Sequence, residues 1–211
     1  MGTANRDFFK IVFGELEKTG LLLESDTRSP SVCSLIVGEP IRGSWWSHPK
    51  AHTIFRVNEQ LDDHKDVLNT KLIGGKVTFV HRRLWSCVMA IGKARADWQM
   101  RGLSTSASSL LKAIDTAGQL RTDQLSWPRT ARIKPGDAAR ELEKNLLIVA
   151  QQFHTDSGSH AKALETWPHW AKQIGFTPER IALEKAMERV SERIERINME
   201  FHAKLKLPWP G

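Results

Sequence analysis

Residues 103–170 limit the fold more than any other stretch of the chain. Their apolar residues follow helical and then extended spacing, and the elements in order are a helix at 103–117, a short element at 122–127, a helix at 135–146, and extended runs at 147–155 and 160–167. Ser104 suits a helix N-cap, Gly118 a helix end, and Pro135 the first turn of the next helix. Residues 156–158, Asp-Ser-Gly, indicate a turn. This order, in which helices are followed by a hairpin, is that of a winged helix-turn-helix.

A second hairpin is predicted at residues 66–81, where apolar runs flank Gly74 and Gly75. Both glycines can adopt the positive φ that a type I′ turn requires. The surrounding elements, in order, are a helix at 5–18, an extended run at 32–37, a corner at 42–49, a helix at 49–61 and, after the hairpin, a helix at 82–98. The sequence therefore predicts a helix-rich α+β protein with a winged helix-turn-helix and β-hairpin wings. Because helix and hairpin recur, two tandem modules are an open alternative.

These elements divide the chain into three parts: an N-terminal α+β module at 1–102, a winged-helix module at 103–176, and a long helix with a tail at 177–211. Apolar residues of the last helix recur at steps of four and three, which is a heptad-like seam. Through residues 178–205 the seam could form a homodimer. It lasts fewer than four heptads, so packing along the chain's own core is the favoured interpretation.

Positive charge is concentrated between residues 71 and 101. The chain has a formal net charge of +7 and a pI of about 9.6, and this segment holds seven Lys or Arg against one acid, Asp97. Counterion release favours such residues near phosphates, so the expected partner is duplex DNA, bound mainly through its backbone. The expected contacts are Lys71, Lys76, Arg82 and Arg83 beside the first hairpin, and Arg132, Lys134, Arg140, Lys144 and Lys162 in the second module.

Acidic residues on the helix at 135–146 argue against this interpretation. Asp137, Glu141 and Glu143 share that helix, and carboxylates that face phosphates weaken binding. A winged helix can also serve as a protein-interaction module, because a fold does not determine a function. Protein interaction without nucleic-acid binding is therefore the alternative.

Two adjacent tryptophans, Trp45 and Trp46, occupy the corner at 42–49. Neighbouring residues of an extended segment point in opposite directions, so one of the two is expected to be exposed or to line a cleft. Four further polar residues, Glu59, Asp62, Asp63 and His64, end the next helix. They could form an acidic site, and a solvated helix end explains them equally well.

The sequence requires no cofactor or metal ion. His48 and His52 are four residues apart, but no glutamate of a zinc-hydrolase helix lies between them. Cys33 and Cys87 are too few for a disulfide framework, and no signal peptide or membrane-spanning apolar run is present. These observations predict a cytoplasmic protein that does not enter a membrane.

Several segments resemble a bacterial family related to the winged-helix alkylpurine DNA glycosylases, the AlkZ-related group. The similar segments are Gly-Ser-Trp-Trp-Ser-His-Pro at 43–49, the hairpin with its flanks at 66–85, Arg-Glu-Leu-Glu at 140–143, and His-Thr-Asp-Ser-Gly-Ser-His-Ala-Lys-Ala-Leu-Glu-Thr-Trp at 154–167. The resemblance implies tandem winged-helix modules and a DNA-repair activity. It also implies a catalytic Gln-apolar-Gln or Gln-apolar-Arg motif, which residues 99–101 match at a predicted helix end. The catalytic candidates are therefore Gln99 and Arg101, with His48 beside the tryptophan cleft.

Overall fold

Two small antiparallel sheets, one in each half of the chain, organise the fold. The computed structural model describes residues 7–127, 133–155, 158 and 160–210. The first half contains, in order, α1 (Phe8–Thr19), β1 (Leu21–Leu23), α2 (Val32–Val37), a 3-10 turn (Trp45–Ser47), α3 (Ala51–Asp62), β2 (Val67–Ile73) and β3 (Lys76–His81). Strand β3 lies between β1 and β2. The hairpin predicted at 66–81 is therefore confirmed.

The second half has a similar order, with one described helix between its first strand and its hairpin where the first half has two. A linking segment holds a 3-10 turn (Arg82–Leu84), α4 (Trp85–Lys93) and α5 (Asp97–Met100). Then follow α6 (Thr105–Ala117), β4 (Gln119–Arg121), α7 (Pro135–Lys144), β5 (Val149–His154), β6 (His160–Glu165), α8 (Trp167–Gln173) and α9 (Leu183–Phe201). Strand β6 lies between β4 and β5. The predicted helix-rich α+β class is confirmed.

Residues 32–37 form helix α2, so the predicted strand is wrong. Ser31 and Ser34 form a reciprocal capping box: each side chain accepts a hydrogen bond from the other residue's backbone N–H, at 2.9 and 3.2 Å. Gly38 ends the helix in the left-handed region, with φ of 97°. This capping at both ends outweighs the strand preference of the β-branched residues between them. Strand β1 and helix α8 were not predicted.

Two predicted helices have different bounds in the structure. The helix expected at 82–98 is interrupted at Arg95, whose φ of 53° is incompatible with a continuous right-handed helix. The last helix begins at Leu183, although Thr177 and Pro178 suit a helix start. The short element expected at 122–127 is a turn followed by irregular chain, and residues 128–132 lie outside the described part.

Three apolar clusters form the core. One lies between α1, α2, α3 and the first sheet, and another lies between α6, α7 and the second sheet. The third joins the halves: it contains residues of β2, α4, α8 and α9, together with Leu146 and Val149 at the start of the second hairpin. The relative placement of the two halves therefore depends on this central core.

Trp167 is the largest fully buried side chain of the central core. Its indole N–H donates to the carbonyl of Leu146 over 2.7 Å, and its ring lies against Gly92 of α4. A Cβ at Gly92 would lie 2.1 Å from Trp167 Nε1, so only glycine permits this approach. Trp167 thus fixes α4 beside the second half of the chain.

Helix α9 covers the central core. Val190, Ile194 and Ile197 of its seam are buried, Leu183, Met187 and Phe201 are partly buried against the central core, and α9 packs against α4. This confirms the interpretation that the seam serves the chain's own core. The possible homodimer through residues 178–205 is not supported, because the apolar seam is already covered. Within the described residues, no helix is long and apolar enough to cross a membrane.

We predict that Gly92→Ala destabilises the protein. The added methyl group would force Trp167 away from α4 and strain its bond to Leu146, lowering the free energy of unfolding by ~1–3 kcal/mol. Chemical denaturation measures this change. Gly14→Ala is the matched control, because Gly14 is exposed within α1 and its Cβ would meet no atom within 4 Å. The free energy of unfolding of the control variant should rise by ~0.5–1 kcal/mol. A Gly92 variant as stable as the parent would contradict the role of Trp167.

Candidate functional site: an aromatic, acidic cavity between the halves

A cavity of about 430 Å³ lies between the two halves of the chain. Its walls come from α3, the 3-10 turn at 45–47 and the first sheet on one side, and from β5 and α8 on the other. Aromatic rings and carboxylates line it: Trp45, Trp46, Phe55, Phe79, Phe153 and Trp170, with Glu24, Glu59, Asp62 and Asp63. Its described lining includes no lysine, arginine or histidine. The cavity therefore combines flat apolar faces with negative charge.

Helix α3 supplies most of the acidic wall. Phe55, Glu59 and Asp62 follow at steps of four and three, which places them on one helix face. The carboxylates lie in the last turns, next to the negative end of the helix dipole, which is an unfavourable position. Their place in the cavity favours the acidic-site interpretation over a solvated helix end. His64 lies elsewhere, because its ring packs 4.3 Å from that of Phe13.

Asp62 is the carboxyl group best suited to exchange a proton. Burial against the cavity wall, reinforced by the charges of Asp63, Glu24 and Glu59, raises the pKa of Asp62 to about 6. The side-chain amide of Asn69 donates to Asp62 over 2.9 Å, which favours the ionised form and opposes that rise. Water still reaches the residue, which is exposed at the edge of the cavity. Asp62 can therefore change its charge close to neutral pH.

Glu24 and Asn58 form a polar pair in the wall. Asn58 Nδ2 donates to Glu24 Oε1 over 3.1 Å, while Asn58 Oδ1 is buried and has no hydrogen-bond partner. Burial raises the pKa of Glu24, and a hydrogen bond from Trp45 opposes this effect. A buried acceptor without a donor is costly. The pair therefore leaves one polar atom of the wall, Asn58 Oδ1, without a partner among the described residues.

The two tryptophans stack on each other instead of pointing in opposite directions. Their ring centroids are 4.1 Å apart and their planes differ by 22°, because the 3-10 turn replaces the extended corner that was predicted. Trp45 is buried and Trp46 is 63% exposed. The ring of Trp46 lies 5.7 Å from that of Phe55. Both tryptophans line the cavity, and Trp46 offers an open aromatic surface.

The predicted catalytic residues lie outside the lining of this cavity. Gln99 is fully buried: its Oε1 accepts from the Ala96 amide over 2.9 Å, and its Nε2 donates to the Asn145 carbonyl over 3.0 Å. These bonds tie α5 to the end of α7. Arg101 lies on the surface, and His48 Nδ1 accepts from the Lys50 amide at the start of α3. The structure thus gives Gln99 and His48 positioning contacts with the backbone.

The cations predicted to bind DNA do not form one free surface. Lys71 and Lys162 converge on the buried Glu143 between the halves, with Lys71 at 3.3 Å. Burial lowers the pKa of Lys71, and the Glu143 carboxylate opposes that shift. Two ammonium groups share one carboxylate here, so one positive charge is not neutralised, and both lysine side chains are mostly buried.

The remaining predicted cations differ in their surroundings. Lys76 pairs with Asp26 at 2.8 Å, Arg82 with Asp66 at 3.5 Å, and Arg140 with Asp137 at 3.8 Å. Arg83 donates to the Lys18 carbonyl over 2.9 Å, Lys134 and Lys144 are exposed, and Arg132 lies outside the described residues. The exposed members stay candidates for phosphate contact.

Sequence reasoning identified part of the cavity and missed the rest. It singled out Trp45, Trp46, Glu59, Asp62 and Asp63 but not Glu24 or Asn58. Glu24 and Asn58 are distant in sequence and come together only in the folded chain. There, the backbone amide of Glu24 donates a hydrogen bond to the Val77 carbonyl of β3 over 3.1 Å. No three His, Cys, Asp or Glu residues in the described ranges are grouped to hold a metal ion.

A family model described as AlkZ related matches residues 12–206. The chain belongs to the AlkZ-related family. The matched range includes both halves, α9 and every residue that lines the cavity. The resemblance inferred from the sequence motifs is thereby confirmed. No curated protein and no solved structure matches the chain.

We predict that the cavity binds planar aromatic cations in a pH-dependent way. 1-Methylnicotinamide, a pyridinium, carries a permanent positive charge and should quench tryptophan fluorescence by stacking on Trp46. Its affinity should rise as pH increases through about 6, where Asp62 becomes charged. Asp62→Asn should abolish that rise and weaken binding at neutral pH about fivefold, which is the ~1 kcal/mol of a solvent-exposed ion pair. Exposed Glu184 supplies the control Glu184→Gln, and an Asp62 variant with the parent's pH profile would contradict the assignment.

Proposed function

We propose that this AlkZ-related protein binds duplex DNA and excises a damaged base that enters the cavity between its halves. The observation that carries the proposal is the combination of aromatic rings, of which that of Trp46 is exposed, with carboxylates in a cavity whose described lining holds no cation. Family membership supports a DNA-repair role. A base must leave the duplex before an enzyme can reach its glycosidic bond, and such a base needs an aromatic pocket.

Stacking would supply most of the affinity for the extruded base. Trp46 is largely exposed and already lies against Trp45, so a base can extend the stack without a large rearrangement. Stacking of one base on an aromatic side chain contributes ~1–3 kcal/mol. Stacking would distinguish a purine or pyrimidine from the sugar and the backbone.

Charge would select alkylated purines over intact ones. A purine alkylated at N3 or N7 carries a positive charge, and both aromatic faces and carboxylates attract cations. A neutral base gains stacking alone. The cavity therefore favours a cationic base, and such a base is also a better leaving group because it departs as a neutral molecule.

Asp62 is assigned as the general base. As the bond between C1′ and the base nitrogen breaks, its electron pair goes to the base and positive charge develops on the sugar. Water forms the new bond to C1′ and transfers a proton to the Asp62 carboxylate, while the remaining carboxylates stabilise the positive charge. With a pKa of about 6, Asp62 is ionised near neutral pH and can accept that proton. Its exposure gives water access to the reacting face.

The two halves are proposed to be tandem winged-helix modules. The first half has the order of helix, strand, two helices and hairpin, and the described residues of the second half have the order of helix, strand, helix and hairpin; in each half the third strand lies in the centre of its sheet. Exposed Lys134 and Lys144 flank α7 and are the members of the predicted DNA-binding set best placed for phosphate contact. In this proposal the modules hold the duplex, and the cavity between them receives the base.

We predict that the protein releases a methylated purine from a duplex that contains a single N7-methylguanine. Under single-turnover conditions, Asp62→Asn should lower the rate by roughly 10²-fold or more, the usual contribution of a general base. Trp46→Ala should raise the enzyme concentration at half-maximal rate about tenfold, because stacking is lost. Glu184→Gln removes a carboxylate far from α3 and should change neither value. If the parent protein in excess releases no base, the excision proposal fails.

A further inference from the structure

We propose that a second cavity binds a phosphate group of the DNA strand. It has a volume of about 310 Å³, and Arg28, Lys76, Lys204 and Lys206 line it together with a single carboxylate, Asp26. None of Arg28, Lys204 and Lys206 belonged to the predicted DNA-binding set. This concentration of cations in a concave site fits a phosphate, which arginine and lysine recognise by charge-assisted hydrogen bonds.

Hydrogen bonds hold the backbone of the segment that carries Lys204 and Lys206. Asn198 Nδ2 donates to the Leu205 carbonyl over 3.0 Å, and Asn198 Oδ1 accepts from the Leu205 amide over 2.8 Å. The Lys206 carbonyl accepts from the Gly74 amide in the turn of the first hairpin, over 3.0 Å. Leu205 packs against the central core, and the lysines on either side of it are exposed and line the second cavity.

The charge of this cavity stays positive after its internal ion pair is counted. Burial opposes ionisation of Asp26, but the Lys76 ammonium and the amides of Arg28 and Ser29 outweigh it and lower the pKa of Asp26. Asp26 is thus ionised and neutralises one cation, Lys76, at 2.8 Å. Arg28, Lys204 and Lys206 are exposed and have no acidic partner among the described residues. Three positive charges remain for a ligand.

Neighbouring residues line the two cavities. Glu24 lines the aromatic cavity and Asp26 the basic one; Val77 lines the first and Lys76 the second. Consecutive residues of a strand point to opposite faces of the sheet, so the two cavities open on either side of β3. A DNA strand whose extruded base occupies the aromatic cavity would pass the edge of this sheet to place a phosphate in the basic one. This assignment of the phosphate rests on the proposed function.

The test compares two double variants that each remove two lysine charges. Lys204→Gln with Lys206→Gln alters the basic cavity, and Lys93→Gln with Lys112→Gln removes exposed charges on α4 and α6. Binding to an unmodified duplex is measured over a range of salt concentrations. In the first variant the slope of log K against log salt should fall in magnitude by about one, the value for one lost phosphate contact. The control should keep the parent slope, and equal slopes in the two double variants would overturn the proposal.

A titration with inorganic phosphate distinguishes two possible ligands of the second cavity, free phosphate and a phosphate of the DNA strand. Phosphate should shift the amide resonances of Gly74 and Leu205 in the parent and not in the Lys204, Lys206 variant, and duplex DNA should displace it. Phosphate binding that DNA leaves unaffected would overturn the assignment to the DNA strand. The salt dependence is measured with an unmodified duplex, so its slope does not depend on catalysis. If the slope falls in the Lys204, Lys206 variant but the parent protein releases no base, the phosphate site is supported and only the excision proposal is rejected.

Discussion

The central apolar core holds the two halves of the chain together. Each half has its own apolar cluster, and among the described residues the central core contains side chains of both halves. Within it, the Trp167 indole ring occupies the space left by the missing Cβ of Gly92 and its N–H satisfies a buried carbonyl, which fixes α4 beside the second half. The aromatic cavity has walls from both halves, so its shape depends on this core. The proposed site is therefore a product of the interface between the halves.

The distribution of ion pairs explains how a basic protein can contain an acidic site. Glu143 lies buried between Lys71 and Lys162, and several other predicted cations pair with nearby carboxylates. No lysine, arginine or histidine among the described residues lines the cavity beside the carboxylates of α3. Burial, with the charges of nearby carboxylates, raises the pKa of Asp62. Positive charge gathers in the second cavity, around Lys204 and Lys206. The two cavities thus have opposite charge, which suits a cationic base in one and an anionic phosphate in the other.

Turn and capping residues in the sequence predicted the elements that they begin or end. Gly74 and Gly75 fixed the first hairpin, and Pro135 fixed the start of α7. Residues 32–37 were misassigned because the effect of the Ser31 cap outweighs β-branched preference, which composition alone does not show. The pairing of Lys71 with Glu143 and of Glu24 with Asn58 depends on tertiary packing between distant residues. Charge counts along the chain therefore predicted a basic protein correctly but not which cations stay free.

The most direct test is a crystal structure of the protein bound to a duplex that contains one N7-methyl-2′-fluoro-deoxyguanosine, which resists glycosidic cleavage. The methylated base should lie in the cavity between the halves, stacked on Trp46 and close to Asp62. A neighbouring phosphate should contact Lys204 or Lys206. If the base stays stacked in the duplex and the cavity holds no nucleotide, the central claim is wrong.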